Sequence, residues 1–183
     1  MKKFKKIIAM GCAAVMALSI MSIGAFAAET KYPPVPEEGI HGNVGDIFES
    51  DGFLFEIVDP NSMPGADGIM PCISDTPWGW QGIFINNGTT YSNEFEMTSV
   101  LKFWKVWYSN NQAAGYKTTV TIEGNGIYVS KPIWGGTAVS VYKEDRTSSP
   151  VGWYDVTVSS PHEILNGQLN LRRASTYAEL EVY

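Results

Sequence analysis

The sequence predicts an all-β fold, an antiparallel β-sandwich of immunoglobulin-like or jelly-roll-like type. Three observations lead there. Apolar and polar residues mostly alternate, the two-residue period of a half-buried strand. Short β-prone runs are separated by glycine-bearing turns at regular intervals. Asn87-Gly88, Asn125-Gly126 and Asn166-Gly167 stand between such runs, and Asn-Gly suits tight hairpins because both central residues tolerate positive φ.

Residues 1–27 read as a cleavable signal peptide. Met1-Lys-Lys-Phe-Lys-Lys6 is basic, Ile7 to Ile23 is an apolar run, and Ala25-Phe26-Ala27 supplies small residues at a cleavage site. The run is 17 residues with Gly11, Ser19 and Ser22 inside it, at the short limit for a membrane-spanning helix. Lipidation at Cys12 is rejected, because Ile7 to Gly11 is too short an apolar stretch to precede it. The expectation is a bacterial protein, secreted or associated with the cell envelope, with no stable membrane insertion after cleavage.

Residues 28–43 form a proline-rich leader with no apolar periodicity. Proline fixes φ and lacks a donor, so this stretch should be an extended tether. Residues 44–183 form a single sandwich domain, with order beginning around Val44.

Within it, Phe53, Phe55 and Ile57 share one face of a strand that breaks at Asp59-Pro60. Asn61 to Gly82 carries three prolines and reads as loop. Ile83 to Ile85 is a short strand, and Tyr116 to Glu123 turns through Gly124-Asn125-Gly126 into Ile127 to Lys131. Ala138, Ser140 and Tyr142 alternate with Val139 and Val141. Trp153 to Val158 follows, then a hairpin at Asn166-Gly167, and Tyr177 to Tyr183 closes the chain. The total is about eight to ten strands.

One segment supports two readings. Met97, Val100, Leu101, Trp104, Trp107 and Tyr108 fall on one helical stripe, which gives one short helix near 94–108. Val100, Phe103, Trp104, Val106, Trp107 and Tyr108 are β-formers, and the strand is favoured. The ending Gly152-Trp-Tyr-Asp-Val-Thr-Val-Ser159 is similar in pattern to bacterial immunoglobulin-like surface modules. That resemblance is confined to 152–183 and carries no function across.

Charge narrows the partners. Cleavage would remove Lys2, Lys3, Lys5 and Lys6 and leave 9 basic against 19 acidic residues, a net charge of −10. That argues against nucleic acid and against anionic lipid. Cleavage would also leave Cys72 as the sole cysteine, which excludes an internal disulfide. Cys72 reads as a small buried apolar residue.

Chemistry finds little foothold. His41 and His162 are the only histidines; Cys72 with His162 matches no cysteine-hydrolase signature, and Gly-x-Ser-x-Gly is absent. Glu94 and Glu96 would share a strand face, as the carboxylate pair of a small secreted hydrolase or as any solvated face would. Asp59, Asn61 and Asp67 lack the spacing of a calcium loop. No catalytic residue, metal or cofactor is expected.

Aromatics are the compositional excess. Trp78 and Trp80 in Thr76-Pro-Trp-Gly-Trp-Gln81, and Trp134 in Pro132-Ile-Trp-Gly-Gly136, sit in predicted turns. Exposed rings there would stack on sugar faces or anchor a protein surface. The leading expectation is therefore a secreted, non-catalytic binding domain for an extracellular glycan or protein, with Trp78, Trp80 and Trp134 as ligand-binding residues. The alternatives are the small hydrolase and a structural or antagonistic secreted protein.

Overall fold

The computed structural model describes residues 31–63, 83–86, 88–161 and 164–180. They build ten strands: β1 (Ile47–Ser50), β2 (Phe53–Val58), β3 (Ile83–Ile85), β4 (Thr90–Met97), β5 (Phe103–Asn110), β6 (Lys117–Gly124), β7 (Ile127–Trp134), β8 (Ala138–Lys143), β9 (Gly152–Ser159) and β10 (Gly167–Ala174). Two antiparallel sheets result. The larger has the order β1-β2-β8-β5-β10-β3 and the smaller β4-β9-β6-β7. The protein is an all-β sandwich.

Alternation builds the core between the sheets. Phe53, Phe55 and Ile57 of β2, Val139 and Val141 of β8, and Leu169 and Leu171 of β10 point inward from the larger sheet, all 5% exposed or less. Val120 and Ile122 of β6 and Tyr154, Val156 and Val158 of β9 face them from the smaller. An aromatic column crosses the middle. Phe53 stacks on Trp104 (5.7 Å), Trp104 meets Phe95 edge-on (5.9 Å), and Phe95 stacks on Tyr154 (5.3 Å). Offset and edge-on pairs of this kind add to their area burial.

The ambiguous segment resolves as two strands with a turn between them. Thr98 makes the break: its Oγ1 accepts from the Leu101 and Val100 amides at 3.0 and 3.3 Å, and its own amide bonds Leu101 O. β4 ends in the smaller sheet and β5 begins in the larger, so Met97 and Trp104 reach one core from opposite sides. The apparent helical stripe is the imprint of that crossing. Val100, a stripe member, is 65% exposed in the turn.

Two tight hairpins follow the turn chemistry. Asn125 (φ 48°) and Gly126 (φ 82°) join β6 to β7, and Asp51 (φ 55°) and Gly52 (φ 79°) join β1 to β2. Asn166-Gly167 does not behave that way. Gly167 is a strand residue, paired with Asn110 on one side and Ile85 on the other. A Cβ there would stand 2.6 Å from Ser109 O and 2.9 Å from the Tyr108 ring, so this glycine serves a close approach.

The ends also differ from expectation. Residues 31–43 form no strand or helix and turn at Glu37-Glu38, but they are bonded to the sandwich. Val35 donates to Glu49 O, and Ile40 both donates to Pro132 O and accepts from the Trp134 amide. Ile40 is fully buried in the core. At the far end Ala178–Leu180 is a 3₁₀ turn where a strand was expected. Ser175 ties it down through its amide and hydroxyl to the Glu179 carboxylate.

Candidate functional site: two outer sheet faces

Each sheet has an outer face, and the two differ. β4, β9, β6 and β7 turn their polar residues outward in register. Ser92, Thr157, Thr121 and Ser130 form one row of hydroxyls across all four strands. Ser92 and Thr157 are 3.1 Å apart, and Thr121 and Ser130 2.8 Å. The adjacent row is Glu94, Asp155, Glu123 and Tyr128. Glu96 and Trp153 pair beyond it.

Two rings project from this face into solvent. Trp153 is 60% exposed and Tyr128 64%. Strand spacing and rise place their Cα atoms roughly 12 Å apart. Trp153 is held from behind, where Asn125 Nδ2 donates to its carbonyl at 2.8 Å. Its neighbour Tyr154 is buried, with its hydroxyl donating to Pro150 O at 2.8 Å. Burial raises the Tyr154 pKa.

Trp134 lies on the same outward side of β7, six residues and about 20 Å along the strand from Tyr128. It is half-buried. Lys117, its cross-strand partner, sets Nζ 4.1 Å from the ring centroid, and His41 meets it edge-on at 5.9 Å. One ring face is thus engaged in a cation–π contact. Trp78 and Trp80 lie outside the described residues, as do Cys72, His162 and Asp67.

The larger sheet's outer face is polar in sequence but largely closed to solvent over β2, β8, β5 and β10, whereas Phe84 on the edge strand β3 is 67% exposed. Ser140 is fully buried, Asn170 is 1% exposed, Trp107 3% and Tyr142 8%. Met63 packs on Trp107 and Ala138. Within this face the Glu56 carboxylate accepts from the Tyr142 hydroxyl at 3.2 Å, with the Ser140 hydroxyl at 3.5 Å. Lys105 Nζ stands 4.8 Å from the Tyr142 ring and 5.2 Å from that of Trp107. Burial, and then the Glu56 charge, push the Tyr142 phenol far above its usual range. The cluster resembles an internal polar network more than an open site.

At one end of the sandwich a cleft of about 570 Å³ opens between the β1–β2 and β6–β7 hairpin turns and the segment after β8. Tyr128, Asn125, Asp51, Lys143 and Glu144 are among its walls. Lys131 lies 3.8 Å from Asp51, and Lys143 lies 3.5 Å from Asp145.

Asp59, one of the oxygen-bearing residues of the predicted loop, spends its carboxylate on the Asn61 amide at 2.9 Å and side chain at 3.0 Å. It caps the 3₁₀ turn Pro60–Ser62. Glu94 and Glu96 do share the outward face of β4, both exposed. Among the described residues no three His, Cys, Asp or Glu side chains are gathered in a way that could hold a metal ion.

Trp153 and Tyr128 were not singled out from sequence, although the signal was there. Tyr154, Val156 and Val158 form the apolar register of β9, which puts Trp153 on the polar register with Asp155 and Thr157. Tyr128 likewise alternates with Val129. No family model matches the chain, and no curated protein or solved structure does.

Proposed function

We propose that this is a non-catalytic domain that binds an extracellular glycan along the outer face of the smaller sheet. The observation that carries the reading is the pair of solvent-exposed rings, Trp153 and Tyr128, on a face whose central rows are hydroxyls and carboxylates. A sugar presents C–H faces to aromatic rings and hydroxyls to polar groups, and this face offers both. The sheet holds it rigid, so little ordering entropy opposes binding. Trp134, half-buried, extends the same face. Export by the predicted signal peptide would deliver the domain to where such polymers occur.

A hydrolase would place two carboxylates across a closed cleft, with one acid kept protonated by its surroundings. Glu94, Asp155 and Glu123 lie on an open sheet instead. In the end cleft Asp51 lies beside Lys131, and the Thr147 amide holds the Asp145 carboxyl below its usual range. Assembly through the edge strand β4 is also less favoured, because it carries Glu94 and Glu96, and charges discourage edge pairing.

The test is a pull-down of the secreted protein with insoluble cellulose, chitin, xylan, mannan and peptidoglycan. Wild type is set against Trp153→Ala/Tyr128→Ala, and the supernatants are assayed for new reducing ends. Retention of wild type, its loss in the double variant and no sugar release support the reading. Sugar release would make the protein a hydrolase, and retention on none of the five would remove the glycan reading.

A further inference from the structure

We infer that the cleft at the hairpin end seats the terminal residue of that glycan, so the protein recognises chain ends and not chain interiors. This rests on the glycan reading above and adds where the chain must stop.

The link is Tyr128. Its ring is one of the two exposed on the outer face, and the same residue lines the cleft. The face and the cleft therefore meet at Tyr128, whose row also carries Glu94, Asp155 and Glu123, with the hydroxyl row next to it. Asn125 is the second link. Its side chain bonds the Trp153 carbonyl, and Asn125 itself is part of the cleft wall. Gly152 makes room for this contact, since a Cβ there would fall 2.6 Å from the Asn125 amide. Trp153, the turn and the cleft are thereby fixed to one another.

At about 570 Å³ the cleft lies within the range of small-molecule sites, roughly 300–1,000 Å³. Its lining residues include Tyr128 together with side chains that donate and accept hydrogen bonds, Asn125, Lys143, Asp51 and Glu144. Lys143 is partnered by Asp145 and by Thr147 Oγ1 at 2.6 Å, and Lys131 lies close to Asp51. These ion pairs balance much of the local charge, which suits a neutral sugar residue. Two tight hairpin turns form the rim, and their positive-φ residues Asp51 and Asn125 hold a single backbone geometry. The two turns thus close the end of the face against further chain.

The experiment uses whichever of the five polysaccharides retains the wild type. Equal masses are offered intact and after partial cleavage by an endo-acting glycosidase, which multiplies chain ends at constant mass. Binding capacity should rise in proportion to the ends created. Glu144→Trp, which fills the cleft while keeping the backbone bond from the residue 144 amide to Gly52 O, should abolish that rise. A capacity unchanged by cleavage in the wild type would overturn chain-end recognition and leave glycan binding on the face intact. If none of the five retains the wild type, both readings fall together.

Discussion

The outer faces of the two sheets are both polar in sequence, yet one is closed and the other open. On the larger sheet Ser140, Asn170 and Trp107 are buried, and Glu56, Tyr142 and Lys105 are tied into contacts with one another. On the smaller sheet Trp153 and Tyr128 stand in water among outward carboxylates, beside a row of hydroxyls. A tryptophan on an outer face therefore has two meanings here. Trp107 is packed against Met63 and Ala138, whereas Trp153 is 60% exposed.

That contrast breaks most sharply on the tryptophans themselves. Trp107→Ala removes a ring packed against Met63 and Ala138 and should cost roughly 3–5 kcal/mol. Trp153→Ala should change stability by no more than about 0.5 kcal/mol, the usual range for an open surface site. Urea unfolding of the two variants beside wild type checks this, and equal losses would end the distinction.

A smaller effect is expected at the network on the closed face. Tyr142→Phe deletes the hydroxyl that Glu56 accepts from and should cost about 1 kcal/mol. The buried phenols also set an alkaline limit. Burial raises the Tyr108 pKa from 10.0 to about 12, against a lowering by its bond to Thr118 at 2.9 Å. The fold holds the neutral phenol, whereas the unfolded chain releases the proton above its ordinary pKa. Stability is therefore fully present below pH 10 and falls as pH rises from 10 to about 12. Tyr142 acts in the same direction. Unfolding free energies across that window should decline in wild type and decline less in Tyr108→Phe.

The smallest effect sharpens the open face. Thr121→Val removes one hydroxyl from the row shared with Ser130 while keeping a β-branched strand former. Unfolding should be nearly unchanged, and retention on the bound polysaccharide should weaken by a few-fold. Unchanged retention would show that the hydroxyl row takes no part.

Much of this fold was legible because strand periodicity is local. The core registers of β2, β8 and β9, and the Asn125-Gly126 hairpin, follow directly from alternation and turn chemistry. What failed needed a partner distant in sequence. Gly167 looks like a turn residue until β5 and β3 close on it from both sides. Ile40, in a segment read as tether, is buried because it pairs beside β7, more than ninety residues away. The site divides similarly. Alternation alone places Trp153 and Tyr128 on polar strand faces, but it cannot say which polar face is closed. The larger sheet's outer residues alternate just as well, and Ser140, Tyr142, Trp107 and Asn170 among them are buried.

The central claim is that ligand meets the open face. The indole N–H signals of the tryptophans, assigned by single substitutions, report on both faces at once. Titration of the protein with soluble fragments of the polysaccharide that retains it should shift the Trp153 signal and leave those of Trp104 and Trp107 in place. A Trp107 signal that moves while Trp153 stays fixed would contradict the account and transfer the site to the larger sheet.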